Sequence, residues 1–184
     1  MTQGGESLWT GLIDKYYSDN PPLKSLLLLH SRLVADKALA IVDAHPELGA
    51  DRAFVEEAAM LHDIGIFLTD AAPIHCQGKY HYLCHGYLGA DLLRSEGLPR
   101  HALVAERHTG TGLTLKQIME RNLPVPHRDM VPVSVEEKIV CFADKFFSKT
   151  RPAEEKTVEQ AEKSIAKFGP EGVMIFRNWC REFL

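Results

Sequence analysis

The strongest constraint on this chain is a histidine–aspartate pair, His62-Asp63-Ile64-Gly65, closing the run Phe54-Val55-Glu56-Glu57-Ala58-Ala59-Met60-Leu61. The run reads as a buried helix, and burying a carboxylate costs several kcal/mol unless it is paired or metal-bound. Other segments pose the same problem. His30 follows four consecutive leucines, Leu26 to Leu29. His85 opens the helical pattern His85-Gly86-Tyr87-Leu88-Gly89-Ala90, and His108 closes Ala102-Leu103-Val104-Ala105-Glu106-Arg107. Asp144 lies inside Ile139-Val140-Cys141-Phe142-Ala143-Asp144-Lys145-Phe146-Phe147. All offer nitrogen or oxygen donors. One metal site in the centre of a helical domain is the economical account of all of them.

Each position taken singly has a plainer explanation. His30 has Leu26, Leu27, Leu33 and Val34 three and four residues away, the surroundings of an ordinary core histidine. His62 has the small residues Ala58 and Ala59 one turn back, and Asp144 has Val140 and Cys141. A lone buried aspartate usually caps a helix or pairs with arginine. Joint coincidence in separate apolar segments is what weakens these explanations.

A chain of 184 residues that is 45% hydrophobic is most simply one domain with a real core. We read it as residues 1–184, with a core over about 21–150 and a helical extension over about 151–184. A net charge of −4 argues against general nucleic-acid or membrane-surface binding, which needs a basic face. No apolar run approaches a membrane span, and no basic-then-apolar signal pattern opens the chain. Cys76, Cys84, Cys141 and Cys180 show no zinc-ribbon or CxxC spacing, and Cys141 and Cys180 fall in apolar helical patterns. Reduced core cysteines in a cytoplasmic protein are the expectation.

Helical periodicity dominates and no convincing alternating strand appears, so the fold class is all-α. Helices are expected over Leu8 to Tyr17, and from Pro21-Pro22 to about His45. Asp51 caps another, ending at Gly65. A loop follows from Thr69 to about Tyr82. Two helices flank Gly97-Leu98-Pro99, a short one covers Thr114 to Arg121, and an irregular stretch around Pro124-Val125-Pro126 reaches Val133. Ser134-Val135-Glu136-Glu137 reads as a capping box for the helix bearing Asp144. Gly169-Pro170 separates two last helices with the look of an amphipathic addition.

The order His…His-Asp…His…His…Asp, with Ile-Gly after the doublet, resembles the HD-domain superfamily of metal-dependent phosphohydrolases. The segment Glu106-Arg107-His108-Thr109-Gly110-Thr111-Gly112-Leu113-Thr114 also resembles bacterial and archaeal HDIG-type proteins. The likeness runs from about His30 to about Thr150 and implies a bundle of about seven to nine helices. It implies that His30, His62, Asp63 and Asp144 hold one metal, and that His85 and His108 hold a second with Asp63 bridging. Imidazole and carboxylate suit iron, manganese, zinc, nickel or cobalt; iron is our first choice and manganese the second.

Two ions about 3.5–4 Å apart would clamp the attacking and leaving oxygens and generate a metal-bound hydroxide. The expected activity is hydrolysis of a nucleotide or other small phosphoester or phosphoanhydride. Asp63, Lys145 and Arg151 are the catalytic candidates, the two cations serving the phosphoryl oxygens; Lys145 also reads as a solvated flank. Thr109 and Gly110 offer phosphate-binding amides or simply a turn leaving the helix. The histidine- and cysteine-rich stretch Ile74 to His85 fits a substrate-covering loop, with Lys79 and Tyr82 as contacts, better than a separate zinc site. His45, His101 and His127 are expected at the surface. The partner is a small-molecule phosphate, with no nucleic acid and no membrane; an oligomer is compatible with the sequence. Two rivals stand: a di-iron oxygenase of the same superfamily, and a metal-containing binding module without turnover.

Overall fold

The computed structural model describes residues 7–184. The amino-terminal stretch read for a targeting signal begins in residues 1–6, outside the described residues. Nine α-helices lie among the described residues: α1 (Leu8–Tyr17), α2 (Pro21–Ala44), α3 (Arg52–Leu61), α4 (His85–Ser95), α5 (Pro99–Arg107), α6 (Leu115–Glu120), α7 (Val135–Asp144), α8 (Val158–Ile165) and α9 (Pro170–Phe183). The sheet among them is one antiparallel hairpin, β1 (Asp70–Ala71) on β2 (Cys76–Gln77). The expectation of a helical bundle is met. No helix of the described residues is long and apolar enough to cross a membrane.

Local chemistry sets the helix starts. The Asn20 side chain accepts from Leu23 N, and Pro21-Pro22 occupies the first turn of α2, where a missing N–H costs nothing. Asp51 caps α3 by accepting from Phe54 N. The capping box expected at Ser134 is only half made. Ser134 accepts from Glu137 N, but the Glu137 carboxylate turns to Val133 N and Arg107 instead. A nearly buried carboxylate gains more from a guanidinium than from a second amide.

Helix α3 ends at Leu61, with His62 as its C-cap, rather than at Gly65. Gly65 has φ −84°, so it is not a left-handed helix stop. Its role is close approach: a Cβ there would lie 2.3 Å from the His85 carbonyl and 2.5 Å from Gly89 N. Only a glycine lets the start of α4, which bears His85, lie against the His62-Asp63 turn.

Two large apolar clusters and a small one, Leu113, Ile118, Val125 and Met130, form the core. One large cluster joins the second half of α2 with α3, α7, α8 and α9; the other joins α1, the first half of α2, α4 and α5. Their boundary falls on the polar residues flagged in the sequence. His30 sits between Leu27 of one cluster and Val34 of the other, and His62-Asp63 directly follows Met60 and Leu61, one from each. The last two helices, read as an amphipathic extension, bury residues in the first of these clusters. Phe176 and Phe183 of α9 pack on Phe142 with ring centroids 5.3 and 5.4 Å apart.

Candidate metal centre

His62 and His108 are the C-cap residues of α3 and α5, Asp144 is the last residue of α7, and His85 is the first of α4. His30 joins them from the middle of α2. Asp63 is fully buried and lies at the centre of the cluster. Its Oδ2 is 3.1 Å from His30 Nε2 and 3.2 Å from His62 Nε2; its Oδ1 is 3.3 Å from both His85 Nε2 and His108 Nε2. Asp144 Oδ1 closes the first group, 3.0 Å from His30 Nε2 and 3.4 Å from His62 Nε2.

Three of the imidazoles are oriented by backbone. The Nδ1–H groups of His62, His85 and His108 donate to the carbonyls of Ala59, Tyr82 and Ala105, at 2.6, 2.6 and 2.7 Å. Each carbonyl lies three residues back, so a helical or near-helical turn supplies the acceptor automatically. A proton fixed on Nδ1 leaves the Nε2 lone pair of the neutral ring pointing into the centre, the arrangement of metal-ligating histidine.

The donor set fits divalent cations. His62 Nε2 and both Asp63 oxygens are buried without a properly formed hydrogen bond. Neighbouring donors 3.0–3.4 Å apart match those of ligands at about 2.1 Å around an ion. The donors fall into two groups sharing Asp63: His30, His62, Asp63 and Asp144, then Asp63, His85 and His108.

Burial works to raise the Asp63 and Asp144 carboxyl pKa values, but their neighbours outweigh it. The charges of Lys149 and His62 hold Asp63, and the charge of Lys145 with a hydrogen bond to His30 holds Asp144, well below the usual range. Burial works to lower His62, yet Asp63 and Asp144 prevail and raise it to about 9. At His85 burial wins, against Asp63 and with His108, and brings the ring down to about 3; burial also lowers His108.

A cavity of about 480 Å³ opens over the centre, with His85, His108, Asp144, Lys145, Lys149, Thr109 and Gly110 among its lining. Tyr82 also lines it and stacks on His85 at 4.7 Å. Lys145 reaches the cavity, but its ammonium donates to Asp144 Oδ2 and the His108 carbonyl, both at 2.8 Å. It therefore positions two ligands as well as facing the site.

Two expected contacts fall elsewhere. Arg151 is exposed, 3.5 Å from Glu154, and does not line the cavity. Lys79 is exposed beyond the hairpin and does not line it either. The cation that replaces Arg151 is Lys149, with Nζ 2.5 Å from Asp63 Oδ2 and 5.8 Å from the Tyr82 ring centroid. The turn from Ser148 to Arg151 directs Lys149 inward and Arg151 outward. His101, expected at the surface, is buried edge-on to Phe54 and paired with Glu57 at 3.1 Å. Val104 and Ala105, three and four residues on, carried the signal for that burial.

Cys141 is a buried thiol, pushed up to about 12 by burial, that donates to the His108 and Gly110 carbonyls at 3.4 Å. Cys180 is only half-buried, and all four cysteines are free.

Residues 27–148 match the HD domain family model. An uncharacterised protein of Methanocaldococcus jannaschii is 34% identical over 142 residues, 76% of this chain and 75% of that protein. Two proteins described as tRNA (cytidine(56)-2'-O)-methyltransferases are similar as well. The one from Picrophilus torridus is 34% identical over 68% of this chain, and the one from Thermoplasma volcanium 33% over 66%. The matches cover 33% and 32% of those two proteins, so the likeness spans about a third of each. Among solved structures, the HD domain of the L. monocytogenes phosphodiesterase PgpH superposes with a TM-score of 0.55 at 21% identity, covering 91% of this chain and 93% of that one. By the match over most of its length and by the ordered residues that fill its centre, the chain belongs to the HD domain family.

Proposed function

We propose that the protein is a metal-dependent phosphohydrolase acting on a nucleotide or another small phosphoester or phosphoanhydride. The observation that carries this reading is the cluster of six side chains with metal-donor atoms, of which His85, His108 and Asp144 line a cavity whose wall also presents Lys145 and Lys149. Divalent cations held by these residues, iron or manganese first, would activate water and offset charge on phosphoryl oxygens. Asp63 serves both ligand groups, one carboxylate oxygen toward each. Lys149 meets the phosphoryl anion from the cavity side, where fixed charge acts with little rearrangement. Thr109 and Gly110 line the same floor beside His108. The protein itself offers no activated nucleophile there: the Cys141 thiol is raised and buried, and no Ser–His pair lies among the hydrogen-bonded side chains of the described residues, which leaves water as the attacking group. Similar sequence within two proteins described as tRNA methyltransferases favours a nucleotide over a sugar phosphate.

Elemental analysis of protein purified without chelators, followed by a phosphate-ester screen with the metal found, tests the reading. Hydrolysis in ¹⁸O-water should place label in the released phosphate. A metal-loaded protein inert across the panel, or one that consumes O₂ and releases no phosphate, would overturn it.

A further inference from the structure

The family match ends at residue 148, but the cavity does not. Lys156, Ser164, Ile165 and Phe168, all from the segment after it, line the cavity, with Leu83 and Phe147 also in the wall. The lining therefore combines charged side chains with apolar and aromatic ones. At about 480 Å³ it is roomy for inorganic phosphate and within the range of clefts that enclose an organic ligand, about 300–1,000 Å³.

Two side chains of that segment are unexplained by packing. Phe168 is 43% exposed, whereas Phe176 and Phe183 beyond it are buried in the core. Its place is set by Gly169, whose φ of 116° and ψ of 168° are open in practice only to glycine. An aromatic ring held half-exposed at a cavity offers a stacking face. Lys156 is tied down by its backbone, which donates to the Phe146 carbonyl at 2.8 Å. Its half-buried ammonium forms no ion pair among the described residues. Burial lowers its pKa; the Asp144 charge works against that, and Lys145, Lys167 and Arg151 act with burial. A partly dehydrated ammonium without a counter-ion gains from an anion brought by a ligand.

We propose that residues 156–168 form the specificity wall of the site. Phe168 stacks on a flat aromatic part of the substrate, and Lys156 pairs with an anionic group other than the phosphoryl under attack. The substrate class is then an aromatic phosphate with a further anion, such as a nucleoside carrying two phosphates. This rests on the phosphohydrolase reading of the same cavity.

The test is calorimetric binding to the metal-loaded full chain. Its probes are inorganic phosphate and hydrolysis-resistant phosphonate analogues of ribose 5-phosphate, adenosine monophosphate and adenosine diphosphate. The diphosphate analogue should bind tightest and the ribose analogue weakest of the three. Phe168→Ala should abolish the preference for the adenosine over the ribose analogue, a loss of about ten-fold. Lys156→Met should abolish the preference for the diphosphate over the monophosphate, again by about ten-fold. Inorganic phosphate should bind both variants as it binds the parent, which reports an intact fold and centre. Discrimination that survives both substitutions, or a parent that binds phosphate without discriminating, overturns the wall and leaves the phosphohydrolase reading standing. A parent that neither binds phosphate nor turns over any ester overturns both.

Discussion

His85 Nε2 and His108 Nε2 face each other at 3.0 Å, although the Nδ1–H of each ring is already donated to a backbone carbonyl. Two neutral rings so anchored present lone pair to lone pair, which is repulsive unless a cation is shared. His85→Ala should therefore bind one ion fewer per chain while the group of His30, His62, Asp63 and Asp144 keeps its own. Elemental analysis of the variant checks this; unchanged metal content would remove His85 from the ligand set.

Lys145 touches two ligands at once, the Asp144 carboxylate and the His108 carbonyl. Residues that orient ligands in this way typically contribute 10–100-fold to metal affinity, about the loss expected for Lys145→Met. Calorimetric titration with Mn²⁺ measures it. A purely substrate-binding lysine would lower kcat/KM and leave the titration unmoved.

Lys149 and Arg151 are two residues apart and should behave oppositely. Lys149→Ala removes a buried ammonium that faces both Asp63 and the cavity, and kcat/KM should fall about a hundred-fold. Arg151→Ala removes an exposed side chain paired only with Glu154; stability should stay within about 0.5 kcal/mol and turnover should be unaffected. Steady-state kinetics and thermal melts on the pair decide the point.

Metal binding should release a proton below pH 9. His62, raised to about 9, holds a proton at neutral pH that ligation through Nε2 must expel; His85, near 3, has none to give. Affinity of the first ion should therefore climb with pH, by up to about ten-fold per unit, and level off above pH 9. Calorimetry at pH 7 in buffers of different ionisation enthalpy should count about one proton per first ion. A count of zero would mean that His62 is neutral before the ion arrives.

The sequence discloses the clustered residues because a polar residue inside an apolar helical stripe violates a local rule, and His30, His62 and Asp144 each do so. His101 is a further case, with Leu98, Val104 and Ala105 three and four residues away, but the polar Arg100, Glu106 and Arg107 around it suggest a surface position. Turns carry no such periodicity. Nothing in Ser148-Lys149-Thr150-Arg151 says which cation points inward; distance from Asp144 along the chain suggests Arg151, whereas Lys149 lines the cavity. The cavity wall from Lys156 to Phe168 was illegible for another reason. Helical patterning shows that α8 and α9 have an apolar face, but which surface the face covers is a long-range fact.

Three helices end at the metal centre: His62 caps α3, His108 caps α5 and Asp144 closes α7. The C-terminus of a helix carries about half an elementary negative charge. Lys145 and Lys149 balance Asp63 and Asp144, the start of α4 at His85 offsets one of the three helix ends, and a proton on His62 offsets the other two, so the bare centre is close to neutral. A phosphate approaching the bare centre meets no net attraction. Cations arriving first turn the same point from one without pull on the substrate into one that draws it, so the order of binding follows from how the helix ends are arranged.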